Sequence, residues 1–192
     1  HAIARYERER GLPANAVHRV VMERAPHGAW SRLERGELAR AAFYEAFERE
    51  CREAGHEIDA REMFRAMEQE SAPRPAMLAA IARIRERGLR SAALTNNWAV
   101  DESDGASAGT SELSHHFDVF VESSVEGLRK PDPRIYELVC ARLAVAPREA
   151  AFLDDIGANL KPARALGMTT IRVVEPDAAL AELEQALGFA LR

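Results

Sequence analysis

Through residue 72 the apolar positions recur every three or four places, as the buried stripe of an amphipathic helix does. Residues 2–10 read as one helix closed by Gly11, and a second starts near Pro13 with Val17, Val20 and Val21 on one face. A third spans 37–52, its stripe formed by Leu38, Ala42, Phe43 and Phe47, with Gly55 just beyond its end. Asp59 followed by Glu62 is a capping-box-like start for a fourth, which carries Met63, Phe64 and Met67 as core positions. The stretch Pro73-Arg74-Pro75 then breaks the helical run.

After Pro75 the rhythm alternates. A helix with Met77, Leu78, Ile81 and Ile84, ended by Gly88, leads to a strand at 91–95. Further strands are expected at 118–122, 150–154 and 169–174, each followed by a helical pattern, at 133–143, 159–166 and 178–187 in turn. Short, nearly continuous apolar strands alternating with helices predict an α/β fold, with a parallel sheet covered on both faces. Residues 101–110 form a polar loop.

Bulk properties narrow the class. The 192 residues suffice for one domain, or a core domain with an appendage, and 47% hydrophobic content argues against disorder. A net charge of −5 disfavours nucleic acid as a partner. No apolar run approaches membrane-spanning length and no signal-peptide core is present, so no membrane partner is expected and a cytoplasmic location is. Cys51 and Cys140 lack CxxC spacing and read as buried thiols. Among 26 basic residues only Lys130 and Lys161 are lysine, which marks positions where a compact ammonium serves better than a planar fork.

Three clusters fall at or just after strand ends, where ligands of open α/β sheets bind. Leu94-Thr95-Asn96-Asn97-Trp98 offers a hydroxyl, amides and turn N–H groups, the donors that cradle a tetrahedral anion. Gly127-Leu128-Arg129-Lys130-Pro131-Asp132-Pro133 holds one ammonium between two prolines. The run Ala151-Phe152-Leu153-Asp154-Asp155-Ile156-Gly157 delivers two adjacent carboxylates into a turn. Strand alternation points them apart, so that one can ligate a cation while the other orients a neighbour. An acidic pair, a loop lysine or a Thr-Asn turn taken singly is ordinary surface; all three at one sheet edge is not. Trp98 either walls a pocket or packs against the helical part. His115 and His116 are expected as one exposed and one packed imidazole.

The order Thr95-Asn96, Lys130-Pro131, Asp154-Asp155 resembles motifs two to four of the haloacid-dehalogenase-like (HAD) hydrolase superfamily. Arg74-Pro75-Ala76-Met77-Leu78 and the string Leu153-Asp154-Asp155-Ile156-Gly157-Ala158-Asn159-Leu160-Lys161-Pro162 are more narrowly similar to the N-terminal phosphatase domain of soluble epoxide hydrolases and their bacterial relatives. The resemblance implies a Rossmann-like core at 73–192, a first core helix at 1–11 and a helical cap at 12–72. It also implies a Mg²⁺-dependent phosphomonoesterase working through an aspartyl-phosphate on a small phosphorylated substrate. Thr95 and Asn96 would bind phosphate, Lys130 and Asp154 would be catalytic, Asp155 would bind the metal, and Asn159 would support Asp155 or the helix start. A homodimer is compatible with this.

The family's first motif, a central strand ending in the nucleophilic aspartate, is absent from these residues. Without it the chain is expected to be inactive. A lost central strand would remove several buried side chains at about 1.5–3 kcal/mol each. The expectation is therefore a piece of a longer protein. Two other classes stay open: a relative with another or very weak activity, and a non-catalytic binding or dimerisation module. The absence of a Gly-x-Ser-x-Gly elbow excludes an epoxide hydrolase domain from this chain.

Overall fold

The structure, a computed structural model, describes residues 2–69, 73–99 and 113–191. The loop expected at 101–110 lies outside the described residues. The chain divides into two compact units: His1–Ala72 with Asn97–Ser107 and Ser124–Gly127, and Pro73–Asn96 with Ala108–Ser123 and Leu128–Arg192.

The first unit is helical: α1 (Ala2–Glu9), α2 (Ala16–Arg24), α3 (Ala29–Glu34), α4 (Arg40–Glu53) and α5 (Ala60–Gln69). The helix expected from near Pro13 is α2, and after a turn at 25–28 a further short helix, α3, follows that the apolar pattern did not mark. Phe43 and Phe47, one turn apart on α4, stack at 5.3 Å between centroids. Trp30, Phe64 and Trp98 join them edge-on or tilted, so Trp98 belongs to this aromatic core.

Three helix starts here are capped from elsewhere in the chain. Glu7, buried, accepts the Asn15 and Val17 N–H groups at α2; Glu50 accepts Ala29 N–H at α3; Glu48 accepts Ala60 N–H at α5. Each carboxylate satisfies donors that have no intrahelical partner and meets the positive end of a helix dipole. At α5 the local half of the expected capping box also forms, Asp59 Oδ1 accepting the Glu62 N–H at 2.8 Å, while the Glu62 side chain pairs with Arg10 instead of reaching back.

The second unit alternates as predicted. α6 (Pro75–Glu86), with proline at its first position, leads into β1 (Ala92–Thr95). β2 (Val119–Glu122) runs into a short helical turn, α7 (Ser123–Glu126), and then α8 (Pro133–Leu143), capped by Asp132. β3 (Ala151–Asp154), α9 (Gly157–Ala165), β4 (Thr169–Arg172) and α10 (Pro176–Leu187) complete it. Each strand is shorter than expected by one or two residues. β1 pairs with β2 and β3 with β4, both parallel, in the registers Ala92↔Val119 and Ala151↔Thr169.

The result is two half-sheets. Val121 of β2 and Phe152 of β3 pack together against Ile135, Tyr136 and Val139 of α8, while Ile171 of β4 and Leu153 of β3 pack against Ala80 of α6 and Leu180 and Leu183 of α10. Among the described residues no strand pairs with the second edge of β1 or β3. Both edges line one cavity of about 690 Å³. The two histidines depart from expectation: His115 and His116 are both exposed, and their carbonyls accept from Arg85. That backbone contact leaves both imidazoles in solvent.

Candidate active site

Asp154 ends β3 and is 7% exposed, a cost that a carboxylate bears only with several donors. It has four donated bonds. Lys130 Nζ approaches Oδ2 at 2.8 Å, Ile156 N–H donates to Oδ1 at 2.8 Å, and Asn159 Nδ2 lies 3.0 and 3.1 Å from the two oxygens. Asn159 sits in the first turn of α9, five positions on, where the turn after β3 brings the chain back over the carboxylate. Its own carbonyl accepts the Tyr136 hydroxyl from α8 at 2.7 Å. Burial, and then the neighbouring Asp154 charge, push the Tyr136 phenol well above its ordinary range, so it remains a donor. Asn159 therefore holds Asp154, not Asp155 as one alternative had it.

Lys130 is fixed at both ends. Asn96 clamps its backbone, Oδ1 accepting the Lys130 N–H at 2.8 Å and Nδ2 donating to the Lys130 carbonyl at 3.0 Å. The ammonium donates to Leu94 O at 2.9 Å and to Asp154, and lies 5.8 Å from the Phe152 ring centroid. An ammonium carries three donors. Two are used, and the third has no partner among the described residues. The side-chain role of Asn96 had no signal in the sequence beyond its place next to Thr95. Tyr136, on a helix face that reads as core, had none.

Thr95 is the last residue of β1, adjacent to the Leu94 carbonyl that accepts from Lys130. Its hydroxyl and the Asp155 carboxylate have no hydrogen-bond partner among the described residues. Asp155 is exposed where Asp154 is buried, the divergence expected of adjacent positions at a strand end. Of the five residues singled out, the fold joins Lys130, Asp154 and Asn96 by direct hydrogen bonds, and sets Thr95 and Asp155 beside them in sequence. No cluster of three or more His, Cys, Asp or Glu side chains that would enclose a metal occurs among the described residues. The geometry is that of a fixed cation at the carboxyl edge of a sheet, with a hydroxyl and a carboxylate left uncommitted.

Comparison with known proteins identifies the family. Residues 1–167 match the family described as haloacid dehalogenase-like hydrolase. Acyl-CoA dehydrogenase family member 10 of Mus musculus is 40% identical over 97% of this chain, and bifunctional epoxide hydrolase 2 of Sus scrofa is 34% identical over 98%. The chain spans only 17% and 36% of those two proteins' lengths. A HAD family enzyme from Bacteroides thetaiotaomicron, solved in complex with magnesium and inorganic phosphate, superposes with a TM-score of 0.56 at 18% identity, covering 82% of this chain and 84% of that one.

Proposed function

The chain belongs to the haloacid dehalogenase-like hydrolases, and on that footing we propose that it supplies the phosphate- and metal-binding part of a Mg²⁺-dependent phosphomonoesterase. Residues 12–72 are its cap and 73–192 its catalytic core. One observation carries the reading: a single ammonium, Lys130 Nζ, is held between a strand-end carbonyl and a buried carboxylate with one N–H left over.

The substrate is a small phosphate monoester. The Thr95 hydroxyl and the Asn96 N–H bind phosphoryl oxygens. The remaining N–H of Lys130 offsets charge on the transferring group and on the attacking carboxylate, where fixed charge acts most strongly. Asp154 holds the ammonium in place, and Asn159 and Tyr136 hold Asp154. The attacking aspartate comes from outside the 192 residues, since Asp154 is committed to Lys130 and Asp155 is assigned to the metal.

The donor set fits Mg²⁺, which binds through one or two carboxylates and fills its other positions with water and phosphate oxygens. Asp155, exposed and without a partner among the described residues, is the carboxylate this chain contributes. Asp154 is excluded, its oxygens being occupied by four donated bonds. When bound, the cation neutralises negative charge on the phosphoryl group and the nucleophile.

The test is aryl phosphate hydrolysis by a polypeptide in which this chain is preceded by an aspartate-bearing first strand. Asp155→Asn should weaken turnover in a way that added Mg²⁺ partly restores. Lys130→Ala should lose roughly 10²–10³ in turnover at any Mg²⁺ concentration. Equal rescue of both variants by Mg²⁺ would contradict the separate roles.

A further inference from the structure

The segments that leave the carboxyl ends of β1 and β2 pack with the helical unit. Asn97 and Trp98 after β1, and Ser124–Gly127 after β2, belong to it, while Asn96 and Ser123 stay with the strands. The peptide that joins Asn96 to Asn97 is therefore where the anion-binding turn passes from one unit into the other.

Residues 96–99 have no regular secondary structure, so no backbone ladder fixes this turn. Side chains fix it instead, each on a different anchor. Asn96 clamps the Lys130 backbone through both atoms of its amide. Asn97 Oδ1 accepts the Ser124 hydroxyl at 3.1 Å. Trp98 sets its ring 4.7 Å from that of Phe64 and 6.3 Å from that of Trp30, centroid to centroid. Phe64 is fully buried and Trp30 nearly so, and a close-packed core of this kind yields little. Ser124 is held in its turn by Gly36, which has a φ of +69° and lies so close that a Cβ there would overlap the Ser124 carbonyl oxygen.

We propose that Trp98 is a positioning residue for phosphate: its ring, seated in the aromatic core of the helical unit, fixes the backbone that presents the Asn96 N–H to a phosphoryl oxygen. This rests on the phosphatase reading above. Two residues of chain span at most about 7 Å, so the seat of the Trp98 ring limits where the Asn96 N–H can lie. A backbone donor binds an anion tightly when it is held in place beforehand, because ordering it on binding subtracts from affinity. The indole acts through Asn96 and not on the phosphate. Asp155 follows β3, a strand of the other unit with its own anchors, so the metal site does not share this dependence.

The experiment uses the full 192-residue chain with inorganic phosphate as the probe at saturating Mg²⁺, read by NMR at the amides of Thr95 and Asn96. Mn²⁺ binding without phosphate, read by electron paramagnetic resonance, reports the Asp155 site separately. Trp98→Ala should weaken phosphate about tenfold and leave Mn²⁺ affinity unchanged. Trp98→Phe, which keeps a ring in the core, should restore most of the phosphate affinity. Phe47→Leu loosens the same core at a residue with no tie to the turn. It should lower Tm as Trp98→Ala does and leave phosphate affinity unchanged, a separation that a merely structural role for Trp98 would not give. If Trp98→Ala does not fold, Ser124→Ala carries the test: it removes only the hydroxyl bonded to Asn97 and should weaken phosphate roughly two- to threefold. Unchanged phosphate affinity in the Trp98→Ala or Ser124→Ala chain, or an equal loss in Phe47→Leu, overturns the proposal and leaves the phosphate site standing. A wild-type chain that binds no phosphate overturns the phosphate assignment of Thr95 and Asn96, and the role of Trp98 with it.

Discussion

Lys130 and Asp154 form an ion pair at 2.8 Å whose side chains are only 12% and 4% exposed, and it ties the loop before α8 to the end of β3. Such a pair offsets its own desolvation only when the remaining valences are filled. Here Asn159 and Ile156 fill those of Asp154.

Removing one partner should therefore cost far more than removing both. Lys130→Met strands a buried carboxylate and should destabilise the chain by about 3 kcal/mol, the low end for a broken buried pair because three donated bonds survive. Lys130→Met with Asp154→Leu should recover most of that loss. Urea unfolding of the two single variants and the double variant measures it, and additive losses would mean the pair is not coupled.

Asn159→Ala takes two donated bonds from a buried carboxylate without altering charge. The expected loss is ~1–3 kcal/mol, with a fall in Tm of several degrees. Tyr136→Phe, which removes the hydroxyl bonded to the Asn159 carbonyl, should cost less, about 0.5–1.5 kcal/mol. Thermal unfolding of both variants checks the order; a larger loss for Tyr136→Phe would place the support of Asp154 elsewhere.

The four strands and the three strand-end clusters were legible because short apolar runs and the residues that follow them are local patterns. That Lys130 and Asp154 act together came from the resemblance to the family's motifs and not from any local pattern. What was not legible depends on residues distant in sequence. Glu7, Glu48 and Glu50 look like surface acids of amphipathic helices, and only packing shows that each caps another helix. Asn96 was read through its backbone, whereas its side chain does the observed work of clamping Lys130. The short helix α3 was not marked, although Pro26 and Gly28 signal a break before it, because the second helix was read only from its start near Pro13 and its face at Val17, Val20 and Val21.

Both thiols should be silent in the native chain. Cys51 and Cys140 are buried, and burial pushes the Cys51 thiol up to about 12 and Cys140 above its usual range. A disulfide reagent at pH 8 should titrate neither until denaturant is added. The raised Cys51 value also sets a pH dependence. Its stabilising share is intact below pH ~9, where the unfolded thiol is still protonated, and is lost as pH rises toward about 12. Cys51→Ala should flatten the decline of stability over that window, leaving the part due to Cys140, Tyr136 and Tyr6, all raised by burial. Rapid native labelling at pH 8 would contradict this.

The central claim is that these residues hold a phosphoryl group and a metal but not the nucleophile. Hydrolysis of p-nitrophenyl phosphate by the 192-residue chain, measured beside the same chain joined to a preceding strand that ends in aspartate, tests it most directly. No turnover above buffer is expected for the chain alone. The joined form should show Mg²⁺-dependent turnover, abolished by chelation. Sustained turnover by the chain alone, or a joined form that is equally active in chelator, would contradict it.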